Sequence, residues 1–193
     1  MEIRKRCEEI VIVFDVSGSM HGDRLAKAKV ALKSWIANSL PYHASIGLVP
    51  FEYRAHVGKG FGLKEVNSSS ILEIESKIDG LEAGGDTCIG AGLRAAIEHP
   101  TLFNNKRGGT ILLIGDGIDG CRKPSLESIK KLSIEKQKTV YALNVGLGLD
   151  SKIYSLTQET NGKVFDVPDE MNSESLNLLL NEICGSDCNQ SKI

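Results

Sequence analysis

The chain has 193 residues, 41% of them hydrophobic and 25% charged, with a formal net charge of −2. That length encloses a sizeable core in a single domain, 1–193, without help from metals or cross-links. The weak negative charge argues against nucleic acid, whose phosphates call for a concentrated positive surface. No stretch approaches a membrane span, so direct insertion is not expected, and the apolar run Ile10–Phe14 is too short, and too soon interrupted by Asp15, for a secretory signal. Two compartments stay open: the cytoplasm if the chain is complete, the outside of the cell if it is an excised domain.

In chain order, Glu9–Phe14 is almost wholly apolar and β-branched, as a strand buried on both faces should be. From about Gly22 to Leu40, Leu25, Ala28, Leu32, Trp35 and Ile36 recur at helical spacing until Pro41 stops the helix. A second strand is expected near Ser45–Pro50 and a shorter third near Tyr53–Val57, the short link implying a hairpin and an antiparallel edge. A short helix follows at Ile71–Ile78, then a loop with two adjacent glycines over Leu81–Thr87, then a helix at Ile89–Ile97. Gly109–Ile114 and Val140–Val145 read as further apolar strands with a helix between them at Lys123–Gln137. Asp150–Glu159 reads as a helix that Asp150 can cap, Lys163–Asp166 as a short strand and Ser173–Ile183 as a closing helix. Alternation of this kind predicts a doubly wound α/β fold: a mostly parallel central sheet with one antiparallel edge strand and helices on both faces.

Ligands of open α/β sheets sit beyond the carboxyl ends of the strands, where chain order reverses. Three polar sets fall there: Asp15-Val16-Ser17-Gly18-Ser19 after the most apolar strand, Gly84-Gly85-Asp86-Thr87 before a helix, and Asp116 after Leu112-Leu113-Ile114-Gly115. Turn bonds or helix capping would account for any one set. Together they form carboxylates and hydroxyls with no histidine or thiolate, hard oxygen donors that suit Mg²⁺ or Mn²⁺. Gly18 lets the backbone turn between the two serines.

The run Val13-Phe14-Asp15-Val16-Ser17-Gly18-Ser19-Met20 resembles the metal-ion-dependent adhesion site of von Willebrand factor type A domains, a family with a Rossmann-like fold. The resemblance covers about residues 8–184 and implies five metal ligands: Asp15, Ser17, Ser19, Thr87 and Asp116. Thr87 is chosen over Asp86 because it stands six residues before Leu93, and Asp116 because it ends an apolar strand. The family implies a bound Mg²⁺ (or Mn²⁺/Ca²⁺) and a protein ligand whose Asp or Glu completes the coordination, in adhesion or complex assembly. A weaker likeness links Gly84–Leu93 and Asp116–Cys121 to the domain of calcium-activated chloride channel regulators, although Cys88 is placed differently from that subgroup's loop.

The competing class is a Mg²⁺-dependent phosphohydrolase of the haloacid dehalogenase type, suggested by Gly115-Asp116-Gly117-Ile118-Asp119. Its first motif needs a second aspartate where Ser17 stands, and a hydroxyl is a poor acid and a poor base at neutral pH. A dinucleotide site would need three glycines in the turn that has only Gly18, and no Gly-x-Ser-x-Gly elbow supports a serine hydrolase. A binding module is therefore expected, not an enzyme. His43, His56 and His99 read as surface or partly packed side chains, while His21, just past the first loop, is placed to contact a ligand. Glu52 and Asp119 are secondary candidates, for a metal-bound water and for bonds within the Asp116 loop. The lysines from Lys130 to Lys138 read as a solvated helix face.

Five cysteines leave at least one unpaired or bonded to another chain. Cys184 and Cys188 lack the further ligands of a zinc set. Chain ends often lie close together, which suggests a Cys7 bridge to Cys184 or Cys188, and loops converging on one ion suggest Cys88–Cys121. Asn67-Ser68-Ser69 and Asn189-Gln190-Ser191 match the glycosylation acceptor pattern, though such triplets arise often by chance; an adhesive role would favour the outside of the cell and a free-standing chain the inside.

Overall fold

A computed structural model describes residues 9–38, 40, 44–105, 107–117, 119–146 and 148–166. The elements are β1 Glu9–Asp15, α1 Asp23–Asn38, β2 Ser45–Phe51, β3 Phe61–Glu65, α2 Ile71–Asp79, α3 Ile89–Glu98, β4 Thr110–Gly115, α4 Leu126–Glu135, β5 Thr139–Asn144, α5 Ser151–Glu159 and β6 Val164–Asp166. The six strands are ordered β3–β2–β1–β4–β5–β6, with every neighbouring pair parallel except β2 and β3. This is the doubly wound, mostly parallel sheet with one antiparallel edge that the apolar strands call for. The helix expected at Ser173–Ile183 lies outside the described residues, as do Cys7, Cys184, Cys188 and His43.

Alternation along β1 divides the core. Ile10, Ile12 and Phe14 face Leu32, Trp35 and Ile36 of α1 and Ile74 and Ile78 of α2. Val11 and Val13 face Ile89, Leu93 and Ala96 of α3, with α4 and α5 contributing Ile129, Ile153 and Leu156. Every residue of β1 from Ile10 to Asp15 is buried, as a strand covered on both faces must be.

Three expectations are corrected. The edge strand is Phe61–Glu65, not Tyr53–Val57. Residues 52–54 turn the chain so that Phe51 bridges Ala55, a 3-10 turn follows at Val57–Lys59, and only then does the chain run back along β2. The fourth helix begins at Leu126 rather than Lys123, because the Ser125 hydroxyl caps it by accepting from the Ser128 amide. The lysines after Lys130 are not uniformly solvated. Lys138 is buried with its ammonium 3.4 Å from the centre of the Phe103 ring and bonded to the carbonyls of Asn105 and Gly108. Burial, opposed by nearby Glu9, lowers its pKa to about 8.

Helix α3 lies close enough to the sheet that a Cβ on Gly92 would stand 2.7 Å from Phe51 ring carbons and 2.9 Å from Val13 Cγ1. Both neighbours are fully buried. Gly92→Val is therefore expected to lower stability by about 1–3 kcal/mol through overpacking, read as an earlier midpoint in denaturant. An unchanged midpoint would show that α3 does not pack at this distance.

Candidate functional site

The site forms where the strand order reverses. β1 leads by way of α1 to β2 on one side, and the chain later returns by way of α3 to β4 on the other. Parallel pairing sets Phe14 opposite Ile114, so the next residues, Asp15 and Gly115-Asp116, emerge together. Gly115 is required there, since a Cβ would lie 2.9 Å from that of Asp15.

Asp15 is wholly buried, and its Oδ1 accepts from the Ser17 amide at 2.8 Å. The Ser17 and Ser19 hydroxyls lie 3.1 Å apart. Backbone bonds tie this loop to its neighbours: Val16 donates to the Phe51 carbonyl, Gly84 to Val16 and Gly18 to Gly85, each at 2.8 Å. Gly85 has φ +77°, and a Cβ on it would fall 2.2 Å from Glu52 Oε2. The Thr87 carbonyl accepts from the Gly120 amide at 3.0 Å, which ties the loop before α3 to the loop after β4. The same two loops are cross-linked by a Cys88–Cys121 disulfide, as expected, with Cα atoms 5.0 Å apart. Asp119 caps α3 by accepting from the Ile89 amide at 3.1 Å. Burial raises its pKa, against the bonds from Ile89 and Cys121.

Arg24, a residue that the sequence reading passed over, bonds directly to this group. Its Nη1 donates to Asp116 Oδ2 at 3.3 Å and to the Ser19 carbonyl at 3.0 Å. The available signal was a cation in the first turn of a helix, where the dipole favours acids. Asp15 Oδ2 and Asp116 Oδ1 are buried and have no hydrogen-bond partner among the described residues. Glu52 is engaged by the ring of His56 at 2.9 Å, and its pKa is lowered chiefly by a bond from the Tyr53 backbone and then by His56. His99 bonds Thr101, and His21 is exposed beside the first loop.

The expected ion is corrected. Among the described residues, the group of three or more His, Cys, Asp or Glu side chains with converging ligand atoms is Cys88, Asp119 and Cys121, within 4.8 Å of one another. Its sulfurs are spent on each other in the disulfide, and a disulfide does not serve Mg²⁺, Mn²⁺ or Ca²⁺, which take oxygen ligands. No such ion is assigned as a cofactor. The positive charge beside Asp116 is a guanidinium.

Two outcomes follow from this geometry. Burial, with a smaller contribution from Asp116 and against the bonds from Ser17, raises the Asp15 pKa from 3.8 to about 6. The folded state thus takes up the proton more readily than the unfolded chain, so this group's contribution to stability is fully present below pH 3.8 and is lost as pH rises through about 6. Asp15→Asn should be more stable than the parent at pH 7, by up to about 3 kcal/mol, and the gap should close between pH 6 and 4. A gap independent of pH in urea melts would disprove the shift. Replacing both Cys88 and Cys121 by serine opens a link between residues 33 apart and should cost about 3–4 kcal/mol on the chain-entropy scale. Equal melting with and without a thiol reductant would show that the bridge carries no stability.

A model of the von Willebrand factor type A domain matches residues 10–118. The chain is 23% identical over 169 residues to calcium-activated chloride channel regulator 2 of Homo sapiens, covering 86% of this chain and 18% of the relative. It is 25% identical over 154 residues to regulator 1 of Equus caballus, covering 79% and 16%. It therefore spans less than a fifth of the length of these relatives. Among solved structures it is similar to a von Willebrand factor type A protein from Catenulispora acidiphila, with TM-score 0.76 and 22% identity over 91% of this chain and 43% of that one. It is also similar to proximal thread matrix protein 1 from the mussel byssus, described with a zinc-occupied MIDAS motif, with TM-score 0.73 and 23% identity over 92% and 46%. With more than half its length matched, the chain belongs to the von Willebrand factor type A domain family and is an interaction module of that type rather than an enzyme.

Proposed function

We propose that this module binds a protein partner at the carboxyl end of its sheet, where Asp15, Ser17, Ser19, Thr87 and Asp116 form the recognising set, Asp15, Ser17 and Asp116 from buried positions. In this reading the set resembles a metal-ion-dependent adhesion site. An acidic side chain of the partner meets the positive charge beside Asp116, in adhesion or in complex assembly. The observation that carries it is the pair of buried oxygens, Asp15 Oδ2 and Asp116 Oδ1, that have no hydrogen-bond partner among the described residues. A buried acceptor without a partner costs about 1–3 kcal/mol. Two of them at one strand-order reversal fit a surface kept for recognition better than one built for stability. The chemistry for turnover is thin by comparison. Glu52 is committed to His56 and Asp119 to the start of α3, so neither stands free as a general base.

The test uses the protein as bait on partner-bearing cells or extracts, comparing the parent with Thr87→Ala and Asp116→Ala, each with and without EDTA and alongside thermal melts. Both substitutions should cut specific retention at least about tenfold, the scale of one lost charge-assisted contact, while Thr87→Ala melts within a few degrees of the parent. Undiminished retention by both variants would refute this face as the binding surface.

A further inference from the structure

Arg24 stands in the first turn of α1, where the helix dipole favours an acid. Its position is explained by what holds it. Nη1 bonds both Asp116 Oδ2 and the Ser19 carbonyl, and among the described residues no other lysine or arginine is bonded to Asp15 or Asp116. Asp116 is 2% exposed, whereas the Arg24 side chain is 39% exposed. Nε and Nη2 make no hydrogen bond among the described residues. These two donors form the edge of a guanidinium that meets a carboxylate in two parallel bonds. Two acceptors already fix Nη1, so much of the side chain's freedom is lost before any partner arrives, which lowers the ordering cost of binding.

We infer that Arg24 is a partner-contacting residue of this face: its Nε–Nη2 edge receives an aspartate or glutamate side chain of a protein ligand while Nη1 stays tied to Asp116 and Ser19. The inference rests on the proposed function and names the group that meets the acid. Asp116 then acts as a positioning residue for the guanidinium. Tyr53, 56% exposed, lies beside Glu52, whose carbonyl bonds the Cys88 amide. It offers aromatic surface at the same end of the sheet, of the type that anchors interfaces next to an arginine.

The probes are short capped peptides with a central Asp or Glu and matched peptides with Asn or Gln, titrated into ¹⁵N-labelled protein in EDTA and followed by NMR. Parent protein, Arg24→Ala, Arg24→Lys and Thr87→Ala are compared, with thermal melts to verify folding. The acidic peptides should shift the Arg24 Nε–Hε resonance and the amides of residues 15–19 saturably, and the amide-bearing peptides should not. Arg24→Ala should weaken the acidic peptides at least about tenfold, and Arg24→Lys should restore only part, since an ammonium keeps the charge but not the fork. Parent-like affinity in folded Arg24→Ala, together with loss in Thr87→Ala, would overturn the role of Arg24 and leave the binding face standing. Binding by the parent that appears only when metal is supplied would also overturn it, giving the acid to a metal ion. Shifts confined to residues away from the loops, unaffected by any of the variants, would overturn both the inference and the proposed face.

Discussion

Two carboxylates, Asp15 and Asp116, are brought side by side by the parallel register of β1 and β4, and most of the local architecture accommodates that closeness. Both strands are buried on both faces, so neither can slip without exposing its apolar residues. Once Phe14 is opposite Ile114, the residues that follow have no other place to go. Gly115 follows from the same constraint, because any side chain there would collide with Asp15.

Two like charges in a buried setting repel, and the chain meets this in three ways. The Ser17 amide satisfies one oxygen of Asp15, and Arg24 sets a positive charge against one oxygen of Asp116. The third is the raised pKa of Asp15, set chiefly by burial and in smaller part by Asp116, which brings protonation nearer to neutrality. One oxygen of each carboxylate is still left over. A core built for stability alone would have replaced such a pair by apolar residues, which usually costs nothing or gains stability.

The loops that carry these groups are fastened to one another. Gly84 and Gly85 bond to the first loop, Glu52 bonds to Cys88, and Cys88 is joined to Cys121. Such cross-links reduce the ordering that a partner would otherwise have to impose on binding. They also explain why Cys88, Asp119 and Cys121 gather so closely: the group is a staple with a helix cap beside it.

Much of this could be read from local sequence. β1, β4 and β5 are continuous apolar runs, and α1 buries the positions that its 3.6-residue spacing marks, because burial on both faces and burial on one face leave different periodicities. The Asp-x-Ser-x-Ser loop and the aspartate closing β4 were likewise visible as polar residues at the ends of apolar strands. Where pairing was non-local, the reading failed. Tyr53–Val57 has the composition of a strand, yet Phe61–Glu65 takes the edge, because a turn closed by Phe51 and Ala55 uses up the intervening residues. Lys138 looked like a solvated lysine until Phe103 and two carbonyls from a distant segment enclosed it. Arg24 gave no sign of Asp116, 92 residues away. The sequence by itself determined which segments must be buried and therefore which strand ends carry polar residues, since hydrophobic periodicity is a property of neighbours along the chain. Only the tertiary structure decided which charges meet across those ends, because ion pairs and loop closures depend on distances that strand order sets and no local pattern records.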